Sequence, residues 1–235
     1  MLSSPLSVAV LVVLYSSLVN LLPYKILYRF KLYTPINLIF LIILLILNRD
    51  LEFSSLGISP FNLLSSIFLG LIIGFLTLLI GILLIINLGR RIKFKDPRFF
   101  FLKSPQTLMF GVFVHILIGT VIFEEIVHRG IILARFQEIM SPFNSILFSS
   151  LVFAIWHIVS ITRLVWPSIK FTIRILHFQY AAFLGVILLM FIGGLTFSLI
   201  RFYSGNIAGS VVAHGMINSG TLIAFYILRQ KDEKD

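Results

Sequence analysis

The chain has 235 residues, of which 59% are hydrophobic and 12% are charged, and its formal net charge is +10 at pH 7. A soluble domain carries roughly 25% charged residues, so lipid must replace water over much of this surface. The basic residues lie between hydrophobic runs and form no separate domain, which favours loops beside anionic lipid over nucleic-acid binding. The absence of cysteine excludes disulfides, thiolate metal sites and cysteine nucleophiles.

The hydrophobic runs predict an all-α, polytopic transmembrane helix bundle, because a helix needs about 20 apolar residues to cross the bilayer core. We expect one integral membrane domain over 1–235, with N-terminal spans in 1–105 and a helical core that carries the candidate site in 106–228. The first run is expected to be a retained span and not a signal peptide. Seven runs approximately meet the required length: 5–23, 35–48, 61–88, 106–134, 142–160, 179–200 and 205–228.

The distribution of Lys and Arg predicts the orientation of these spans. Fifteen basic residues fall in alternate loops and the C-terminal tail, against three in the opposite loops. The positive-inside rule therefore predicts seven spans in a cell membrane, with the N-terminus outside and the C-terminus in the cytosol. The basic stretch 161–178 fits either a helix at the cytosolic interface or an ordinary loop.

Two adjacent carboxylates, Glu124 and Glu125, lie inside the fourth run, where a charge costs several kcal/mol unless it is paired or faces water. Successive helical residues point about 100° apart, so the two side chains are expected to have different roles. Glu125 and Arg129 have the i,i+4 spacing of an ion pair. This pair leaves Glu124 available as a general base, unless His128 partners it instead.

Two further i,i+4 pairs fall on later runs. His214 and Asn218 share one helix face and offer two donors for a developing oxyanion, although a single intramembrane His or Asn is often a packing or interhelical residue. Phe153 is most simply packing beside His157. The three short motifs in chain order are Glu-Glu-x-x-x-Arg (Glu124, Glu125, Arg129), Phe-x-x-x-His (Phe153, His157) and His-x-x-x-Asn (His214, Asn218).

With these motifs in this order, the sequence resembles the CAAX protease and bacteriocin-processing (abortive-infection) family, which includes the Ras-converting type II CAAX prenyl endopeptidases. The resemblance covers about residues 106–228. It implies an intramembrane endopeptidase that acts on a peptide or a lipidated protein, with no cofactor and no bound metal. Membrane lipid is the other expected partner, and nucleic acid is not expected. The oligomeric state stays open.

The resemblance also implies a role for each motif residue. Glu124 would activate the attacking water with help from His157. His214 and Asn218 would form the oxyanion hole, while the remaining motif residues would support the site structurally: Glu125, Arg129 and Phe153. With straight spans, however, Glu124 lies toward the outer leaflet and His157 toward the inner one, so these helices must tilt or begin elsewhere.

Three other functions stay open at this point. Glu124, His157 and His214 have the composition of a catalytic zinc site, which would make the protein a zinc-dependent intramembrane protease. The same groups, with Arg129, are also compatible with the relay of a proton-coupled transporter. An inactive immunity or scaffold protein would carry the same motifs.

Several other polar or aromatic residues are predicted to lie outside the site. Nine positions separate His115 from Glu124, which places them on opposite faces of an α-helix. Ser210 is expected to be a packing residue and not a nucleophile. The residues expected at the membrane interface are Trp156, Trp166 and His177.

Overall fold

The computed structural model describes residues 4–23, 26–27, 31–89, 102, 104–173 and 175–232. Every regular element within these residues is a helix, which confirms the all-α prediction. In chain order the helices are α1 (Pro5–Leu21), α2 (Tyr33–Leu47), α3 (Leu63–Gly89), α4 (Pro105–Gln137), α5 (Pro142–Trp156), α6 (Ile158–Leu164), α7 (Trp166–Thr172), α8 (Leu176–Ser204) and α9 (Ala208–Asp232).

Each of the seven predicted hydrophobic runs is helical, and the predicted ends differ from the observed ones by at most four residues. Among the described residues, five helical stretches are long and apolar enough to cross a bilayer: α3, α4, α5 continued by α6, α8 and α9. Helices α1 and α2 are apolar but shorter, at 17 and 15 residues. The chain is therefore an integral, multi-pass membrane protein.

The stretch 161–178 contains helix α7, so an ordinary loop does not describe it. The Lys170 Nζ atom lies 5.2 Å from the centroid of the Trp166 ring, which in turn packs against Tyr180 and Phe183 of α8. Many of the basic residues on which the predicted orientation rests, including Arg90, Arg91 and Lys93, lie outside the described residues.

The main core lies where α1, α2, α4 and α5 meet. Val12 of α1, Leu44 of α2 and Phe123 of α4 are fully buried there, and Trp156 of α5 is 6% exposed. Large apolar side chains on the outward faces, such as Leu64 of α3, stay exposed, as expected where lipid is the solvent. This core fixes α4 against three other helices along the segment that carries Glu124 and Glu125.

Small residues bring α3 and α9 into close contact. A Cβ atom on Gly70 would lie 2.2 Å from the carbonyl oxygen of Gly209, and one on Gly209 would lie 2.4 Å from the carbonyl oxygen of Ser66. Small residues allow backbones to approach in this way where no hydrophobic effect draws two helices together in lipid. The contact holds the first turns of α9, and with them His214, in a fixed position in the bundle.

Helix α4 is not a regular α-helix. Its backbone is π-wound over Gly111–Ile122 and again over Ile126–Ile132, with a short α-helical segment, Phe123–Glu125, between them. Long π-helical stretches are rare, and single π turns are frequent at functional sites. The winding changes which residues of α4 share a face, and therefore which side chains can meet.

Polar residues of α2 support the first π-wound segment. The Asn37 Nδ2 atom donates to the carbonyl oxygen of Gly119 at 2.7 Å, and the Thr34 hydroxyl donates to that of Val114 at 3.3 Å. A Cβ atom on Gly119 would lie 2.4 Å from the Thr34 Oγ1 atom, so glycine is needed for this approach. Side chains of α2 thus bind carbonyl groups of the segment whose winding departs from the α-helix.

Arg135 joins the end of α4 to the loop that follows α2 at one end of the bundle. Its guanidinium donates to Asn48 at 2.8 Å, to Asp50 at 2.6 Å and to Glu138 at 3.0 Å. The hydrogen bond from this guanidinium holds the pKa of the Asp50 carboxyl below its usual range. Loops 48–62 and 205–207 meet at the same end, because the Ile207 amide donates to the carbonyl oxygen of Gly57. Lys31, Arg163 and Lys170 belong to segments at the opposite end.

The two ends of the bundle give a direct test of orientation, because the chain has no native cysteine. We expect a cysteine at Glu52 to react with an impermeant thiol reagent only from outside the cell, and one at Lys170 only after the membrane is opened. Both positions are exposed. Labelling of the cysteine at Glu52 only in opened membranes would reverse the predicted orientation.

Candidate active site

Glu124 and Glu125 are both buried, with 3% and 0% of their surface exposed, and their carboxylates point to different partners. The Glu125 Oε1 atom lies 3.1 Å from the Arg129 Nη1 atom, so the ion pair predicted from the i,i+4 spacing is present. Glu124 instead faces a cavity, together with His157 and His214. The division of the two carboxylates between an ion pair and the cavity matches the one read from helix geometry.

The Arg129 guanidinium is bound on several sides. It donates to Glu125 and, from Nη2, to the carbonyl oxygen of Gly194 in α8 at 3.3 Å. Its central carbon lies 4.2 Å from the centroid of the Phe153 ring and 5.1 Å from that of Phe197. These contacts tie α4 to α5 and α8, so Arg129 connects three of the helices that form the site.

His214 is oriented by two hydrogen bonds and a stacked ring. Its Nδ1 atom lies 2.8 Å from the Glu125 Oε1 atom, and because a carboxylate accepts, Nδ1 carries the proton. In the neutral ring the Nε2 atom is then an acceptor, and the Asn218 Nδ2 atom donates to it at 3.0 Å. The Phe197 ring stacks on the imidazole with 4.8 Å between centroids.

His157 lies at the break between α5 and α6, one turn after Phe153. Its Nδ1 atom donates to the carbonyl oxygen of Phe153 at 2.8 Å, which leaves Nε2 as the acceptor of the neutral ring. The two rings meet edge to face, with centroids 4.5 Å apart. The Phe-x-x-x-His spacing therefore orients the imidazole, in addition to the packing expected for Phe153.

Glu124, His157 and His214 converge at one point. The Glu124 Oε2 atom lies 3.9 Å from the Nε2 atom of each histidine. A separation of 3.9 Å is too long for a direct hydrogen bond and suits a bridging water molecule. The Nε2 atom of His214 already accepts from Asn218, whereas that of His157 is an acceptor in the neutral ring, so such a water can give its two protons to Glu124 and His157.

The expected mismatch in depth between Glu124 and His157 is not present. Glu124 precedes the end of α4 by 13 residues, and His157 follows the start of α5 by 15. At a rise of about 1.5 Å per residue, each residue lies roughly 20 Å from the short turn that joins the two helices. The mismatch came from the predicted span boundaries, because α4 extends to Gln137 and α5 continues into α6.

The prediction that His115 lies on the face of α4 opposite Glu124 is wrong, because both residues line the same cavity, although His115 is not among the residues that converge on Glu124. In an α-helix nine positions correspond to opposite faces, as expected from the sequence. The π-wound backbone takes about one more residue for each turn, so that nine residues make about two full turns. The winding of Gly111–Ile122 therefore turns His115 toward the side of α4 that carries Glu124.

Two other predictions are also corrected. His128 does not partner Glu124. Its ring nitrogens have no hydrogen-bond partner among the described residues, and the ring packs edge-on against Phe153 and Trp156. Trp156 was predicted to be interfacial, but it is 6% exposed and belongs to the main core.

The other residues that were predicted to lie outside the site do not contact Glu124. Ser210 is fully buried and donates to the carbonyl oxygen of Ile207, as a packing residue does. His177 is exposed, and Trp166 packs against α8. No group of three His, Asp or Glu side chains within the described residues is arranged to hold a metal ion.

Sequence reasoning missed two residues of α8. The stacking of Phe197 on His214 follows from no short spacing, because the two residues are 17 positions apart and on different helices. Gly194 contributes a carbonyl oxygen, and a Cβ atom there would lie 3.0 Å from the Ser150 Cα atom. Close packing of α8 on α5 at this glycine gives the Arg129 guanidinium its backbone acceptor.

The cavity has a volume of about 1010 Å³ and runs along the inside of the bundle. Glu124, His157, His214 and Asn218 line its buried end. Toward the end of the bundle that carries Lys31 it is lined by exposed residues, including Gln106. Apolar residues of α8 and α9, such as Leu189 and Leu222, form much of the wall between.

Residues 105–220 match the sequence model of a family described as type II CAAX prenyl endopeptidase, Rce1-like. Across this region, just under half of its length, the chain is similar to the Rce1-like family. The match begins at the first residue of α4 and ends within α9, so it contains every residue of the converging site. The family suspected from the three motifs is thereby confirmed. No curated protein and no solved structure matches the chain significantly.

The separate environments of the two carboxylates predict different effects of substitution on stability. Glu125→Gln leaves Arg129 buried without its counter-charge, a loss of roughly 3–5 kcal/mol in the free energy of unfolding. Glu124→Gln breaks no ion pair with Arg129 and is expected to unfold close to the wild-type temperature. Thermal unfolding of both variants in the same detergent measures the difference. Equal melting temperatures would refute the assignment of Glu125 to the ion pair and of Glu124 to the cavity.

Proposed function

We propose that this protein is an intramembrane endopeptidase that hydrolyses a peptide bond with a water molecule activated by Glu124. The observation that carries the proposal is the convergence of the Glu124 carboxylate and the Nε2 atoms of His157 and His214 at 3.9 Å, at the buried end of a large cavity. Similarity to the Rce1-like family supports the reaction type. The substrate class follows from the family description: a prenylated CAAX protein or a related peptide.

The first step is attack of water on the scissile carbonyl carbon. Glu124 takes one proton of the water, His157 accepts a hydrogen bond from the other, and the oxygen forms the new bond to carbon. The carbonyl π electrons move to oxygen, which becomes an oxyanion. The oxyanion then re-forms the carbonyl bond, the C–N bond breaks, and the proton held by Glu124 passes to the leaving amine. This path forms no covalent bond between enzyme and substrate.

Asn218 and His214 are proposed to stabilise the oxyanion. One amide hydrogen of Asn218 is given to the His214 Nε2 atom, which leaves the second for the substrate oxygen. A proton taken up on Nε2 would release the Asn218 amide hydrogen bound there and make His214 a second donor, and the Glu125 carboxylate on the opposite ring nitrogen would stabilise that imidazolium. Glu125 and Phe153 contact the catalytic histidines, and Arg129 contacts both Glu125 and Phe153, so all three act as positioning residues.

The cavity supports access from the basic end of the bundle. Its exposed residues lie near Lys31, and the positive-inside rule assigns the basic loops to the cytosol. We therefore propose seven spans in the cell membrane, with the N-terminus outside and with α1 and α2 as the two shorter spans. In this orientation a cytosolic chain end reaches Glu124 without crossing the bilayer.

Hydrolysis is expected to depend on Glu124 and not on zinc. The purified protein in detergent should cleave a farnesylated CAAX peptide, Glu124→Gln should lose the activity while staying folded, and exhaustive chelation should leave the wild-type rate unchanged. The reason is that both ring nitrogens of His214 are already bound, to Glu125 and Asn218. Loss of activity to a chelator, with recovery on adding zinc, would replace this mechanism with a zinc-dependent one.

Removal of the proposed oxyanion donor should lower turnover. Such a donor is typically worth about 100- to 1,000-fold in kcat, so Asn218→Ala should lose about that factor while KM changes little. Asn218→Asp should be at least as slow, since a carboxylate would face the developing charge. Both variants are tested by measuring kcat and KM on one peptide, with the rates divided by the concentration of folded protein.

Ser219→Ala is the matched control for these variants, because Ser219 is the adjacent polar residue of α9 and is not among the residues that line the cavity. It should keep wild-type kinetics. A near-normal kcat in Asn218→Ala would remove the oxyanion assignment, and absence of cleavage in every form of the protein would favour a transporter or an inactive scaffold.

A further inference from the structure

Charged groups lie at opposite ends of the cavity. Among the described residues that line it, the carboxylate is Glu124, which is 3% exposed, and the ammonium group is Lys31, which is exposed. Both face the same continuous space. A bound molecule that extends along this space therefore has a positive partner at the mouth and a negative one at the buried end.

Lys31 is held at the mouth by its surroundings. It lies in the turn before α2 with a φ of 55°, and its Nζ atom lies 4.4 Å from the centroid of the Phe110 ring. The same ring meets His115 edge-on, with centroids 4.9 Å apart, and the His115 Nδ1 atom lies 3.3 Å from the Thr34 hydroxyl. A cationic group and an imidazole thus border one part of the cavity wall.

The length of the cavity suits a short peptide. His115 and Phe110 precede Glu124 by 9 and 14 positions along α4, which at about 1.5 Å per residue sets upper limits of roughly 13 and 21 Å along the helix axis. Three extended residues span about 10–11 Å, and a hydrogen bond of about 3 Å at each end brings the reach to roughly 16–17 Å. A carboxylate three residues beyond the scissile bond therefore falls between His115 and Phe110 along the axis, beside the ring that Lys31 contacts.

We infer that Lys31, with His115 beside it, binds the C-terminal carboxylate of the substrate. The inference rests on the proposed endopeptidase function and adds a requirement for a free chain end. A CAAX sequence ends three residues after its prenylated cysteine, so cleavage at that cysteine places the terminal carboxylate at the distance just derived.

The test compares one farnesylated peptide in two forms, with a free terminal carboxylate and with a terminal amide. Wild-type protein should prefer the acid by roughly tenfold in kcat/KM, chiefly through KM, because Lys31 lies far from the reacting atoms. Lys31→Gln should lower kcat/KM for the acid alone and bring the ratio close to one, whereas Lys31→Arg should keep the preference. Lys170→Gln is the matched control, since it removes an exposed lysine outside the cavity wall and should keep the wild-type ratio.

A measurement of peptide binding tests this inference independently of the proposed function. The affinity of Glu124→Gln for the two peptides reports the preference for the acid without any turnover, so the carboxylate site is tested even if the wild-type protein hydrolyses neither peptide. An acid preference that survives in Lys31→Gln would overturn the inference. If Lys31→Gln weakened the binding of the acid and of the amide equally, and only when anionic lipid is present, Lys31 would be assigned to lipid headgroups. That result would overturn the inference as well.

Discussion

The buried carboxylate of Glu125 is the interaction on which the rest of the site depends. Its Oε1 atom accepts from the guanidinium of Arg129 and from the Nδ1 atom of His214, so one oxygen joins α4 to α9. Arg129 extends the network to the Gly194 carbonyl in α8. The charge is tolerated inside an apolar bundle because it is both paired and hydrogen-bonded. Its partners in turn fix the ring that faces Glu124.

This arrangement explains why the two neighbouring carboxylates have different environments. The Oε1 atom of Glu125 accepts from partners on its own helix and on α9, and it sets which nitrogen of His214 carries the proton. Glu124 keeps an oxygen 3.9 Å from two imidazole nitrogens, at a distance that suits water. The orientation of the His214 ring beside Glu124 thus depends on the second carboxylate, because the Nδ1 atom of that ring donates to Glu125.

The backbone of α4 determines the shape of the cavity. Its π-wound segments place His115 and Glu124 along one wall, and α2 supports the winding through Thr34 and Asn37. The N-terminal helices therefore do more than cover the site. Their polar side chains bind carbonyl groups of α4, and in doing so they help to set which of its residues face the substrate space.

The sequence by itself determined the helical membrane fold, the approximate spans and the Glu125–Arg129 pair, because hydrophobic length and i,i+4 spacing are local properties of the chain. The three motifs also pointed to the family. Only the tertiary structure decided that His115 lines the cavity, that Trp156 is buried, that Phe197 stacks on His214 and that Glu124 and His157 lie at one depth. These features depend on π-winding and on packing between helices, which join residues distant in sequence and leave no periodic pattern along the chain.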